Sequence, residues 1–159
     1  MSREAATSRP VPPAGGPTLD FWQQRFESQR TPWDRGTVNP ALAPLVAGGV
    51  LPAGARVLVP GCGAGHEVLA LAASGLRPVG VDYAPAAVGL ARARLAQAGL
   101  AAEVVQADLL DWMPAAPFDA IWAQACLCAL HPDLWFAYAQ RLAAWLRPGG
   151  TLCLLAVQV

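Results

Sequence analysis

From Arg56 onward the chain alternates short apolar runs with longer amphipathic ones, and this alternation constrains the fold more than any other feature. Arg56-Val-Leu-Val-Pro60 reads as a strand, followed by a glycine-rich turn and a helix through about Ser74, which Gly75 closes. Pro78 to Val81 is a second strand with Asp82 at its C-terminal end. Ala84 to Ala98 is a helix with Pro85 in its first turn, where a missing N–H costs nothing, and an apolar stripe of Val88, Ala91, Leu95 and Ala98. Glu103 to Gln106 and Phe118 to Ala123 are strands. Asp133 to Leu146 is a helix with Trp135, Tyr138, Leu142 and Trp145 in register, and Trp112, Trp135 and Trp145 are assigned to packing. Arg147-Pro-Gly-Gly150 is a turn leading to a last strand, Thr151 to Val157. Parallel strands need long crossovers, and helices supply them here, so the expectation is an α/β fold with a doubly wound, mostly parallel sheet.

Upstream the pattern is looser. Residues 1–17 are rich in Ala, Pro, Ser and Gly and read as a disordered tail. A short helix starts at Thr18 or Asp20, with Asp20 and Gln23 in capping-box spacing and Trp22 and Phe26 on one face. Thr31-Pro-Trp-Asp34 ends it. Asn39 to Ala47 forms another short helix that Gly48 and Gly49 close.

Composition removes several classes of function. With 55% apolar and 14% charged residues the chain can bury a core, unlike a disordered sequence. Eleven basic residues balance eleven acidic ones, so no electrostatic case exists for nucleic-acid or anionic-membrane partners. The longest uncharged stretch, 36–55, is interrupted by Pro40, Pro44 and Pro52 and by glycines, which argues against a membrane span. The N-terminus lacks the apolar core of a signal peptide, and the four cysteines form no C-x-x-C pair, so a cytoplasmic chain with reduced thiols is expected. Cys126-x-Cys128 with His131 matches no zinc spacing, and no metal is expected.

In doubly wound sheets ligands bind beyond the carboxyl ends of the strands, where strand order reverses. Gly61-x-Gly63-x-Gly65 lies at such an end and opens a helix, letting backbone N–H groups approach a ligand. Seventeen residues beyond Gly65, Asp82 tips the second strand, where a carboxylate can accept both ribose hydroxyls of an adenosine ligand, or alternatively cap the next helix. Asp108 holds the equivalent rim after the third strand, where it can accept from an adenine amino group while Leu109 packs on the ring; the alternative is a turn acid. Between a dinucleotide and S-adenosylmethionine, the loop favours the latter: the final Gly of G-x-G-x-x-G is replaced by His66.

Phe21-Trp22, Thr31-Pro-Trp-Asp34, Val38-Asn-Pro40, the loop Val59-Pro-Gly-Cys-Gly-Ala-Gly65, Val79-Gly-Val-Asp82, and Phe118-Asp-Ala-Ile-Trp122 leading into Leu127-Cys-Ala-Leu130 together resemble the thiopurine S-methyltransferase-like superfamily, including its thiol and halide branch. The resemblance covers about 18–157. It implies a Rossmann-like class I methyltransferase that uses S-adenosylmethionine to methylate a small soft nucleophile (a thiol, halide or thiopurine-like molecule). It implies cofactor contacts from Trp22, Trp33, Gly61, Cys62, Gly63, Asp82, Tyr83, Asp108, Leu109 and Gln124. On this reading 18–50 is a helical lid and 51–159 the cofactor-binding domain. Trp22 and Trp33 would close over the cofactor, exclude water from its methyl group and gain cation–π attraction to a sulfonium; the alternative is that both are packing residues of the N-terminal helix.

The chain departs from the resemblance in two places. Relatives commonly carry an acid, then Arg or Tyr, after the aromatic residue of the fourth strand; here Ala123 and Gln124 follow. Gln cannot hold an anion as Arg does, which weighs against a thiopurine more than against an acceptor that arrives already anionic. Relatives also continue beyond the fifth strand with a helix and an antiparallel strand pair, so a C-terminally incomplete chain is expected. No general base stands out, and His66 and His131 are read as structural. The alternatives are an inactive adenosine-binding fragment and a nicotinamide-dependent oxidoreductase.

Overall fold

A computed structural model of the protein describes residues 18–156. The tail expected at 1–17, and Val157 of the expected last strand, lie outside the described residues. Five strands, β1 (Arg56–Pro60), β2 (Arg77–Asp82), β3 (Glu103–Gln106), β4 (Phe118–Gln124) and β5 (Leu146–Leu155), form one sheet in the order β3-β2-β1-β4-β5, and every pairing is parallel. The order reverses between β1 and β4, as a doubly wound sheet requires. The helices are α1 (Leu19–Glu27), α2 (Leu42–Ala47), α3 (His66–Ala73), α4 (Pro85–Gln97), α5 (Cys126–Ala129) and α6 (Trp135–Trp145), the last preceded by a 3-10 turn, Pro132–Leu134.

Strand pleating divides the core into two. In β1, Val57 and Val59 join Val68 and Leu71 of α3 and Val88 and Leu95 of α4. Leu58, between them, joins Tyr138, Leu142 and Trp145 of α6 on the opposite face. Phe118 and Ala120 of β4 fall in different cores although they are two residues apart, and the ladder with β5 shifts register between them. Asp119, at that irregularity, accepts the Arg56 N–H at 2.8 Å and the Arg147 guanidinium at 2.7 Å, tying the start of β1 to β4 and β5.

Two local expectations need correction. Thr18, not the Asp20–Gln23 pair, caps α1, its hydroxyl accepting the Phe21 N–H at 3.3 Å. Gln23 instead accepts the Ala86 N–H at 2.9 Å, so α1 satisfies an orphan donor in the first turn of α4, which has no side-chain cap of its own. Arg147-Pro-Gly-Gly150 falls within the span of β5, but the ladder with β4 passes from Leu146, opposite Phe118, straight to Thr151, opposite Ala120, and Gly149 takes φ +77°, so the expected turn is kept as a bulge in the strand. Trp135 is not core: it is 43% exposed, and its indole N–H donates to the Leu127 and Leu130 carbonyls. Sequence periodicity places it on the buried stripe, but it is the first residue of α6, past the edge of the sheet-facing surface. Among the described residues no helix is long and apolar enough to cross a membrane.

Candidate functional site

A cavity of about 460 Å³ opens over the carboxyl ends of β1, β2 and β4, beside the residues that follow β3. All ten residues singled out by the sequence border it. They arrive from four directions: Trp22 and Trp33 from the N-terminal segment; Gly61, Cys62 and Gly63 from the loop after β1; Asp82 and Tyr83 from the tip of β2, with Asp108 and Leu109 after β3; and Gln124 from the end of β4.

The loop is shaped by its glycines. Gly65 adopts φ +84°, and a Cβ there would lie 2.7 Å from the Ala91 Cβ and 2.9 Å from its Cα, so only glycine lets α3 start this close to α4. The Gly63 N–H donates at 2.9 Å to Oδ2 of Asp82, while Oδ1 accepts the Ala84 N–H at 3.0 Å. Asp82 therefore anchors the turn into α4 and stands at the cavity wall. A carboxylate offers about four acceptor sites, and the N–H groups of Gly63, Ala84 and Tyr83 do not use them all. Burial, which leaves Asp82 8% exposed, pushes its pKa above the ordinary carboxylate value; the N–H groups of Ala84, Gly63 and Tyr83 act in the opposite direction.

Asp108 accepts the Leu110 N–H at 2.9 Å, and Leu109 beside it is buried. Gln124 accepts the indole N–H of Trp122 at 3.1 Å through Oε1, which leaves its NH₂ as the hydrogen-bonding end for a ligand. Two buried thiols at the wall are not poised nucleophiles. Burial, reinforced by the Asp82 charge, pushes the Cys62 thiol up, and burial pushes Cys126 up to about 12. Cys126 and the exposed Cys128 stand on α5, after Ala125, whose φ of +55° turns the chain sharply away from β4. Among the described residues, no group of three metal-ligating side chains comes together.

The N-terminal segment closes one side. The Trp33 ring packs edge-on to Trp22 at 5.5 Å and to Phe26 at 5.8 Å, and Phe26 seats on Ala84 and Ala87. The two tryptophans pack on one another and border the cavity. Two polar links pin the segment to the first turn of α3. Asp34 Oδ1 lies 2.9 Å from His66 Nε2, and Glu67 accepts the Asn39 N–H at 3.0 Å. Asp34, Arg35, Thr37, His66 and Glu67 all border the cavity, and sequence reasoning assigned none of them to it. The signal was present in the Thr-Pro-Trp-Asp segment and in the His that follows the glycine loop. The contact joins residues 32 apart in sequence, however, and no spacing rule connects them.

The family profile described as thiopurine S-methyltransferase matches residues 17–159. The chain is 38% identical over 136 residues to a probable thiol methyltransferase 2 of Arabidopsis thaliana, covering 84% of this chain and 60% of that one. A solved structure titled for the conversion of a disulfide bond into a thioacetal group during echinomycin biosynthesis superposes with a TM-score of 0.77 at 30% identity, over 84% of this chain and 59% of that one. A SAM-dependent methyltransferase from Thiobacillus denitrificans, solved with S-adenosyl-L-homocysteine, shares the fold with a TM-score of 0.65 at 22% identity, over 81% and 52% of the two chains. The chain spans about 60% of the length of the first curated relatives it matches.

Proposed function

The chain belongs to the thiopurine S-methyltransferase family, and on that premise we propose that it is an S-adenosylmethionine-dependent methyltransferase acting on a small soft nucleophile, a thiol or an anion of similar size. The observation that carries the reading is the buried Asp82 carboxylate at the tip of β2, hydrogen-bonded across the glycine loop and facing the same cavity as Trp22, Trp33 and Gln124. The bound cofactor supplies an electrophilic methyl group on a sulfonium. The protein's residues would hold and align it. Asp82 accepts the ribose hydroxyls, Asp108 and Leu109 hold the adenine, and the loop 61–63 approaches the rest through its backbone. Segment 18–50 is the lid, with Trp22 and Trp33 offering aromatic faces to the sulfonium and excluding water. Gln124 turns its NH₂ toward the acceptor.

Methyl transfer of this kind is an in-line displacement, in which holding nucleophile, carbon and leaving sulfur collinear can supply about 7–11 kcal/mol of the barrier reduction. The donor NH₂ of Gln124 suits an anion too small or too weakly basic to need an Arg. With four free cysteines, one of them exposed, the chain suits a reducing, cytoplasmic compartment. The test is incubation of the full chain with methyl-labelled S-adenosylmethionine and a panel of alkyl thiols, iodide and a thiopurine. Labelled methyl thioether or methyl iodide is the expected product; no transfer to any acceptor, from a folded sample, would overturn the reading.

A further inference from the structure

The proposed reaction lacks a group to take the proton of a neutral thiol, and one histidine at the border of the cavity is arranged to do so. Cys62 and Cys126 are buried thiols with raised pKa values. Glu67 is engaged by the Asn39 N–H, and Asp82 and Asp108 are tied into the turns after β2 and β3, on the far side of β1 from β4. His131 caps the 3-10 turn: its Nδ1 accepts the Asp133 N–H at 3.2 Å, so in the neutral ring the proton sits on Nε2 and the basic lone pair is already in use.

His66 is arranged the other way round. It opens α3 immediately behind the glycine loop, its side chain is 12% exposed, and it borders the cavity. Its Nε2 lies 2.9 Å from Asp34 Oδ1, and that same oxygen receives the Gly36 N–H at 2.7 Å. An ionised carboxylate only accepts, so Nε2 carries the proton in this contact, and in the neutral ring the lone pair is on Nδ1. Nδ1 makes no hydrogen bond within the described residues. A carboxylate that orients a histidine at the border of a cavity, with the other ring nitrogen free of a hydrogen bond, is an arrangement by which a side chain can accept a proton.

We propose that His66 is the proton acceptor for thiol substrates and that Asp34, brought to it by the N-terminal segment, is its positioning residue. The inference rests on the methyltransferase reading above. In the step, the S–H bond of the acceptor breaks and its proton passes to Nδ1 of His66. The sulfur pair forms the new bond to the methyl carbon, and the bond from that carbon to the cofactor sulfur breaks, its electron pair staying on that sulfur to leave S-adenosylhomocysteine. The proton then leaves His66 for solvent. Asp34 thereby makes proton removal depend on the same segment that carries Trp33, so a thiol is deprotonated only when that segment covers the cavity.

An acceptor without a proton tests this directly. Iodide needs no base, whereas 2-mercaptoethanol does, so His66→Gln should lower thiol turnover by about 100-fold or more and iodide turnover by far less. Asp34→Asn should show the same split with a smaller thiol loss. Equal losses on both acceptors, as a purely structural link between lid and α3 would give, would overturn the proposal while leaving the methyltransferase reading intact. A wild-type chain that methylates neither acceptor would overturn both. A readout independent of turnover is long-range ¹H–¹⁵N NMR of the full wild-type chain. The Nε2-protonated tautomer of His66 is expected, and an Nδ1-protonated ring would refute the assignment without any variant having to fold.

Discussion

Asp82 is the residue on which the cofactor reading turns, and it is also the residue whose ionisation the fold makes costly. Its pKa is raised by burial, so the folded protein without ligand holds that proton more tightly than the unfolded chain does. Its contribution to stability is therefore fully present at low pH and declines as pH rises through the interval from the ordinary carboxylate value to the raised folded one. With Asp82 in the proposed ribose-binding role, ligand affinity should move in the opposite sense, because hydroxyls would donate to the ionised form. Affinity for S-adenosylhomocysteine should weaken on acidification from a higher pH than an ordinary Asp would set. Asp82→Asn should remove that part of the dependence, as calorimetric titration at several pH values would read. Asp82 was legible in the sequence because a carboxylate that ends an apolar strand, at a fixed spacing beyond a glycine loop, has two roles open to it: meeting a ligand or capping the next helix. The pairing of Asp34 with His66 was not legible, because it depends on how the N-terminal segment folds back over α3.

At the scale of elements, Gly65 and Trp33 make separable predictions. Gly65→Ala places a Cβ inside Ala91 at a positive φ, and should cost about 1–3 kcal/mol of stability through strain and overpacking of α3 against α4; chemical denaturation would measure it. Trp33 is 38% exposed and contacts only the aromatic residues of its own segment among ring partners. Trp33→Ala should leave the unfolding midpoint nearly unchanged and weaken S-adenosylhomocysteine binding about tenfold, roughly 1.4 kcal/mol. A large stability loss with unchanged affinity would make Trp33 a packing residue instead. The elements were read unevenly from sequence. β1 and β3 came out with their observed bounds, because an apolar run flanked by turn residues leaves little freedom in a parallel sheet. The turn read at Arg147-Pro-Gly-Gly150 is kept as a bulge between the Leu146 and Thr151 positions of the β5 ladder. Its place inside the strand goes with the contact of Arg147 to Asp119 across the β4 irregularity, a tertiary contact that local propensity does not register. Helix α5 was missed for a similar reason: four residues after a left-handed alanine present no helical period.

At the scale of the whole molecule, β1, β4 and β5 meet at one half-buried carboxylate, Asp119. The Arg56 N–H, followed by the Arg147 guanidinium, holds Asp119 below the ordinary carboxylate value. A lowered folded pKa means a stabilising contribution present above the unfolded value and lost as pH falls through the folded one. Asp119→Ala should lower stability near neutrality by about 1 kcal/mol and flatten the acid side of the stability profile. Thermal unfolding across pH would show both. The architecture that Asp119 fastens brings the ends of β1, β2 and β4 and the loop after β3 to one cavity, and the account stands or falls on what that cavity binds. The deciding measurement is calorimetric titration of the full chain with S-adenosylhomocysteine, alongside Asp82→Ala and an NADH control. The account predicts micromolar binding by the wild type, a loss of at least tenfold in Asp82→Ala and no heat with NADH. A folded, monodisperse wild type that does not bind S-adenosylhomocysteine would contradict it.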